Sequence, residues 1–150
     1  MKKEVLISIR GTQKMEGEEP QTVELVTGGT LSREDGIYSV SYVESEVTGM
    51  EGVNTTFEIR PEKITLFRSG KLDSTMIFEP GKKNESLYDL GFGALLVGVN
   101  ARFIESELDD NGGRFAFDYQ VEIEHEPIGV NEYEISVRTK SEGFAEKILQ

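Results

Sequence analysis

Residues 114–123 read Arg-Phe-Ala-Phe-Asp-Tyr-Gln-Val-Glu-Ile. Phe115, Phe117, Tyr119, Val121 and Ile123 share one parity; Arg114, Ala116, Asp118, Gln120 and Glu122 take the other. Successive side chains of a β-strand point to opposite faces, so this alternation predicts a strand with one buried and one solvated face. The same period marks Val5, Ile7 and Ile9, residues 37–44, residues 53–60 with Phe57 and Ile59, and Tyr133, Ile135 and Val137. Residues 22–31 form another predicted strand, in which Gly28-Gly29 implies a bulge or sharp bend. Residues 64–69 and 72–79 follow the same rule. Residues 92–100 are apolar on both parities, implying cover on both sides or a bend at Gly93 and Gly98. Residues 101–108 alternate less cleanly.

Turn residues separate these runs. Residues 13–21 are polar and carry Gly17 and Pro20; Arg33-Glu34-Asp35-Gly36 and Asp109-Asp110-Asn111-Gly112-Gly113 are hairpin connections. Pro80-Gly81 with residues 82–85 reads as a loop, as do residues 45–52 and 125–129. Residues 141–150 predict a short terminal helix with Ser141 as N-cap. About ten strands at roughly 8–12-residue spacing point to an antiparallel sandwich or up-and-down barrel. Successive short connections favour the barrel, and glycines within strands allow the bends that closure needs.

Composition narrows this picture. The 150 residues suit a single domain, residues 1–150, with a real core. With 28 acidic and 16 basic residues the net charge is −12, which repels phosphate backbones. Lys2-Lys3 and Lys82-Lys83 are isolated pairs, so no nucleic-acid partner is expected. Nor is a membrane partner, because no stretch approaches the about 20 apolar residues of a helical span. The absence of cysteine excludes disulfides, thiolate nucleophiles and zinc–thiolate sites, and suits a cytoplasmic setting. Oligomeric state, monomer or homodimer, is left open.

Little in the chain suggests catalysis. His125 is the single histidine and sits beside Pro127 in an acidic loop, so a histidine metal triad is impossible. No Gly-x-Ser-x-Gly elbow accompanies it. Asp109-x-Asn111 lacks calcium-loop spacing, and Gly91-x-Gly93 opens no helix that would receive a phosphate. Neither an enzyme nor a cofactor is expected. Arg68 shares parity with Ile64 and Leu66, pointing it inward, where it needs an acidic partner or an anionic ligand. A structural salt bridge is the first reading, with outward exposure and ligand contact as alternatives. Tyr119 and Tyr133, also inward, either line a cavity or fill the core.

The chain carries Phe78-x-x-Gly81, Tyr88-x-x-x-Phe92-Gly93-x-Leu95, the Arg68-Ser69-Gly70 turn, the turn over residues 108–113 and Tyr119. The Arg68-Ser69-Gly70 turn comes first in the chain, and together, over roughly residues 5–139, the pieces resemble the YwiB-like family of uncharacterised bacterial proteins. The chain departs from that pattern at Leu90-Gly91, where Thr-Pro is frequent. The resemblance implies an all-β, calycin-like (lipocalin-like) barrel and carries over no catalytic residue. The chain lacks tryptophan, and with it the Gly-x-Trp mark of typical lipocalins. The expectation is a cytosolic, non-enzymatic barrel that binds a small, partly apolar or anionic ligand in its interior. Arg68, Tyr119, Tyr133, Phe115, Phe117 and Tyr88 are the candidate contacts. The alternative is a protein-interaction or regulatory module with a side-chain-filled core.

Overall fold

The computed structural model describes residues 1–71, 73–89 and 92–140. The predicted helix over residues 141–150 and the Leu90-Gly91 departure lie outside them. Ten strands are present: β1 (Lys2–Met15), β2 (Gln21–Glu34), β3 (Ile37–Val43), β4 (Asn54–Arg60), β5 (Lys63–Ser69), β6 (Ser74–Phe78), β7 (Lys83–Asp89), β8 (Ala94–Asp109), β9 (Gly112–Ile123) and β10 (Glu126–Thr139). Among the described residues the only helical piece is a 3-10 turn, Glu46–Thr48.

The strands form one antiparallel sheet in the order β6-β5-β4-β3-β2-β1-β10-β9-β8-β7. This is the expected up-and-down meander, curled into a nearly closed barrel. β1 pairs with β10 from Val5↔Thr139 to Met15↔Gly129, so the first and last strands lie mid-sheet. The seam falls between β6 and β7. There the Ser86 hydroxyl donates to the Thr75 carbonyl at 3.3 Å, and Pro80 bridges Ala101.

Local sequence accounts for the tight turns. Asp35-Gly36 and Glu124-His125 link β2 to β3 and β9 to β10, with φ of 53°, 78°, 51° and 70°. Two successive left-handed residues give the turn twist that matches paired strands.

The structure corrects four details of the sequence reading. Gly28-Gly29 makes no bulge, for β2 stays in register with β1 through Val5↔Gly29 and Leu6↔Gly28. β2 instead parts from β3 after Thr30↔Ser41, and an ideal Cβ on Gly29 would lie 2.3 Å from the Ser41 carbonyl oxygen. The glycine serves a close approach of backbones. Second, the bulges are elsewhere, between Ala101 and Phe103 in β8 and between Pro127 and Gly129 in β10. The extra residue Arg102 shifts the inward parity from Val99 and Ala101 to Ile104 and Leu108, which explains the blurred alternation there. Asp118 holds this bulge by accepting from Arg102 Nε at 3.1 Å and Nη2 at 2.7 Å. Third, residues 83–89 are a strand rather than partly loop. Asn84, Ser86 and Tyr88 share one face of it, so an apolar alternation was absent from the sequence. Fourth, residues 126–129 already belong to β10.

Alternate positions fill the interior: Val5, Ile7, Leu31, Val40, Phe57, Ile64, Phe78, Phe115, Phe117, Ile135 and Val137 are almost wholly buried. Phe117 stacks on Phe78 at 4.7 Å and on Tyr133 at 5.3 Å, and Phe57 meets Phe115 edge-on at 5.3 Å. Offset and edge-on rings add packing energy beyond the area they bury. One end of the barrel is tied shut. Asp110, in the β8–β9 turn, pairs with Arg33 and accepts from the Tyr38 hydroxyl at 2.8 Å, while Lys3 donates to its carbonyl at 2.8 Å.

Candidate functional site

The opposite end is open. A cavity of about 400 Å³ lies at this mouth, walled by Gly11 and Gln13 of β1, Val23 of β2, Arg68, Met76, Tyr119, Asn131 and Tyr133. Val47, Thr48 and Met50 cover it from the β3–β4 loop. Ser45 caps the single turn of that loop by accepting from the Val47 amide, and Gly49 ends it at φ 76°. At Gly11 an ideal Cβ would lie 3.0 Å from the Tyr133 ring, so the glycine gives that ring its place in the wall.

Polar groups gather on this rim. Asn131, directly across the ladder from Tyr119, donates to the Tyr119 hydroxyl at 3.0 Å. The Tyr119 and Tyr133 rings lie nearly parallel, 6.4 Å apart. Opposite them, Tyr42, Thr55, Arg68 and Ser74 form one lateral row of cross-strand partners through β3, β4, β5 and β6. Arg68 does point inward, but it closes no salt bridge. Among the described residues no carboxylate pairs with it, and its buried Nε has no hydrogen-bond partner. The structural ion pair expected from sequence is therefore absent among the described residues: Glu44, two residues beyond Tyr42, instead spends one oxygen on Thr55 at 3.0 Å.

Burial pushes the phenols of Tyr42, Tyr88, Tyr119 and Tyr133 upward, with Arg68 pulling each partly back. All four are neutral hydroxyls at ordinary pH, able to donate or accept hydrogen bonds.

Of the candidate contacts, Arg68, Tyr119 and Tyr133 come together on the cavity wall. Tyr88 is close enough for Arg68 and the Ser74 hydroxyl to shift its ionisation. Phe115 and Phe117 do not line the mouth; they pack below it, 0% and 1% exposed, as a solid floor. A ring at an inward position of a strand fills whichever layer its depth assigns, and Phe117 and Phe115 lie one and two inward positions deeper than Tyr119.

Sequence reasoning passed over Glu44, Thr55, Tyr42 and Asn131. Glu44 carried a legible signal, since it shares parity with Val40 and Tyr42 and so is an acid on the inward face. Among the described residues no group of three or more His, Cys, Asp or Glu side chains is placed to hold a metal ion.

A ten-stranded antiparallel meander with a packed lower interior and a polar pocket at one rim defines a calycin-like β-barrel. The model of a domain of unknown function, DUF1934, matches residues 7–135, and the chain belongs to that family. It is similar to the uncharacterized beta-barrel protein YwiB of Bacillus subtilis (strain 168), 26% identical over 97 residues, which are 65% of this chain and 66% of that protein. The alignment thus spans just under two thirds of that relative. The crystal structure of the ywiB protein from Bacillus subtilis shares the fold, with a TM-score of 0.76 at 16% identity, over 93% of this chain and 94% of that one. The YwiB-like resemblance and the barrel expected from it are both borne out.

Proposed function

We propose that this protein is a non-enzymatic binder of a small, partly apolar molecule whose polar end meets Arg68 in the mouth cavity. The observation that carries the reading is the buried, unpartnered Nε of Arg68 on the wall of a cavity of about 400 Å³. A buried guanidinium N–H without a partner costs stability, and such a cost persists where a ligand offsets it. The cavity falls within the about 300–1,000 Å³ usual for small-molecule sites. Met50, Met76, Val23 and Val47 supply apolar wall, while Tyr119, Tyr133 and Asn131 supply hydrogen bonds. The cysteine-free composition suits work in the cytoplasm.

Native mass spectrometry of freshly purified protein, beside the Arg68→Met variant, tests this. A retained small mass on the wild type that Arg68→Met loses, with a higher melting temperature for the empty variant, is the expected result. A clean apo mass, with no thermal shift from a library of small carboxylates and phosphates, would overturn it.

A second reading has its own observation. Leu87 and Phe92 are 70% and 90% exposed beside the seam, where the β6 and β7 edges share no continuous ladder. Such an edge accepts an added strand, as a protein-interaction module would require. Capture of a stable protein partner that Leu87→Glu abolishes and Arg68→Met leaves intact would favour it.

A further inference from the structure

Resting on the ligand-binding reading of the same cavity, we propose that the preferred ligands are small zwitterions. A carboxylate meets Arg68, an ammonium meets Glu44, and an apolar side chain lies against Met50, Met76 and the Tyr133 ring.

Thr55 of β4 is the direct cross-strand partner of Arg68 on β5 and of Tyr42 on β3. Glu44 follows Tyr42 by two residues and therefore projects inward as well. Its Oε2 accepts from the Thr55 hydroxyl at 3.0 Å, so the acid and the guanidinium flank one buried threonine. Directly paired positions in a sheet lie about 5 Å apart, so Glu44 lies just behind the wall that carries Arg68, close enough to act on the phenol of Tyr133, which lines the cavity. Glu44 also stands at the base of the covering loop, its amide donating to the Val53 carbonyl at 2.8 Å and its carbonyl accepting from Gly52 at 3.3 Å.

Both charges are incompletely satisfied. Glu44 is 4% exposed, yet its Oε1 has no hydrogen-bond partner among the described residues, and neither has Arg68 Nε. They do not satisfy each other, since no ion pair within 4.0 Å joins them. Such an arrangement selects against singly charged ligands. A simple anion on Arg68 would sit beside the buried Glu44 carboxylate, where like charges repel strongly because water screens them little. A simple amine would meet the converse penalty from Arg68. A molecule bearing both charges is neutral overall, adds no net charge to the site, and gives each buried group a charge-assisted hydrogen bond.

Three probes of one skeleton decide the matter by calorimetric titration of the full chain at neutral pH. These are L-phenylalanine, 3-phenylpropionate, which lacks the amine, and phenethylamine, which lacks the carboxylate. L-phenylalanine is expected to bind at least about tenfold more tightly than either analogue, the loss typical of leaving one buried charge unpaired. Glu44→Gln is expected to erase the preference over phenylpropionate, and Arg68→Gln the preference over phenethylamine. The wild-type comparison needs no variant and decides even if a variant fails to fold.

Phenylpropionate binding as tightly as phenylalanine, and lost in Arg68→Gln, would overturn the zwitterion while leaving the ligand-binding reading intact. Binding by none of the three also overturns it, and the retained mass in native spectra then settles the broader reading on its own. A direct Glu44–Arg68 ion pair that forms by side-chain rotation gives that same silent titration.

Discussion

Phe117→Ala separates a barrel with a solid floor from a hollow one. The ring is 1% exposed and has four aromatic neighbours, with centroids 4.7 Å away for Phe78, 5.3 Å for Tyr133 and 6.0 Å for Phe57 and Tyr119. Truncation to alanine removes about 130 Å² of buried apolar surface, or about 3 kcal/mol at ~25 cal/mol per Å². The rings around it sit on different strands of a closed sheet and collapse only in part, so the residual cavity adds about 1–2 kcal/mol. The sum, about 4–5 kcal/mol, lies at the upper end of the about 3–5 kcal/mol usual for Phe→Ala. A domain with about 5–15 kcal/mol in hand stays folded. Urea unfolding followed by circular dichroism should show the midpoint falling by about 2 M at an unchanged slope of about 2 kcal/mol/M. Phe92→Ala, at a position 90% exposed, should change stability by less than about 0.5 kcal/mol. A loss below about 1.5 kcal/mol for Phe117→Ala, with the slope preserved, would refute the packed floor and place the ring beside empty space.

The two adjacent glycines of β2 should respond differently to alanine. Gly29→Ala forces a methyl against the Ser41 carbonyl and Ile7 and should cost about 1–3 kcal/mol. Gly28→Ala meets the movable Lys140 amine at 3.4 Å and the Val5 carbonyl at an ordinary 4.0 Å, and should be near neutral in thermal unfolding. All five tyrosines have phenols raised above 10.0, Tyr38 first through its hydrogen bond to Asp110 and the rest first through burial. Since the native values are the higher ones, the stability involved is complete below pH 10 and is lost as the pH climbs through them. Ultraviolet titration should find less than half the phenols ionised at pH 10 in the native protein; half ionised there would contradict their burial. Asp110 runs the other way, its carboxyl held below 3.8 chiefly by the Tyr38 hydrogen bond, with Arg33 helping. Its contribution is complete above pH 3.8 and is lost as the pH falls through the depressed native value, so Asp110→Asn should flatten the acid limb of a stability–pH profile.

The architecture was legible wherever one face of a strand is apolar, as in Phe115, Phe117 and Tyr119 or in Val5, Ile7 and Ile9. Where the inward face is polar the rule had nothing to detect, so part of β7, with Asn84, Ser86 and Tyr88, read as loop. Bulges escaped as well. Arg102 resets the parity of β8 through its bidentate contact with Asp118, a residue sixteen positions on, which no local window contains. The site was half legible. Parity placed Arg68 inward, but whether an inward charge is paired depends on lateral register, and Glu44 meets its row only because β3 and β4 align Tyr42 with Thr55. Depth was hidden for the same reason, so Phe117 and Tyr119 shared a parity in sequence yet divide between floor and rim.

The β1–β10 ladder bears on how the molecule is made. Its pairs join residues more than a hundred positions apart, such as Val5 with Thr139. During synthesis β1 and β2 emerge early, but the second edge of β1 stays open until β10 leaves the ribosome. The β1–β2 hairpin therefore waits with an unpaired, strand-ready edge while the intervening strands are made. So non-local a closure makes for slow folding. Chain order thus leaves two exposures of different lifetime: an edge on β1 that vanishes once the barrel is complete, and the β6–β7 seam, which the finished protein keeps.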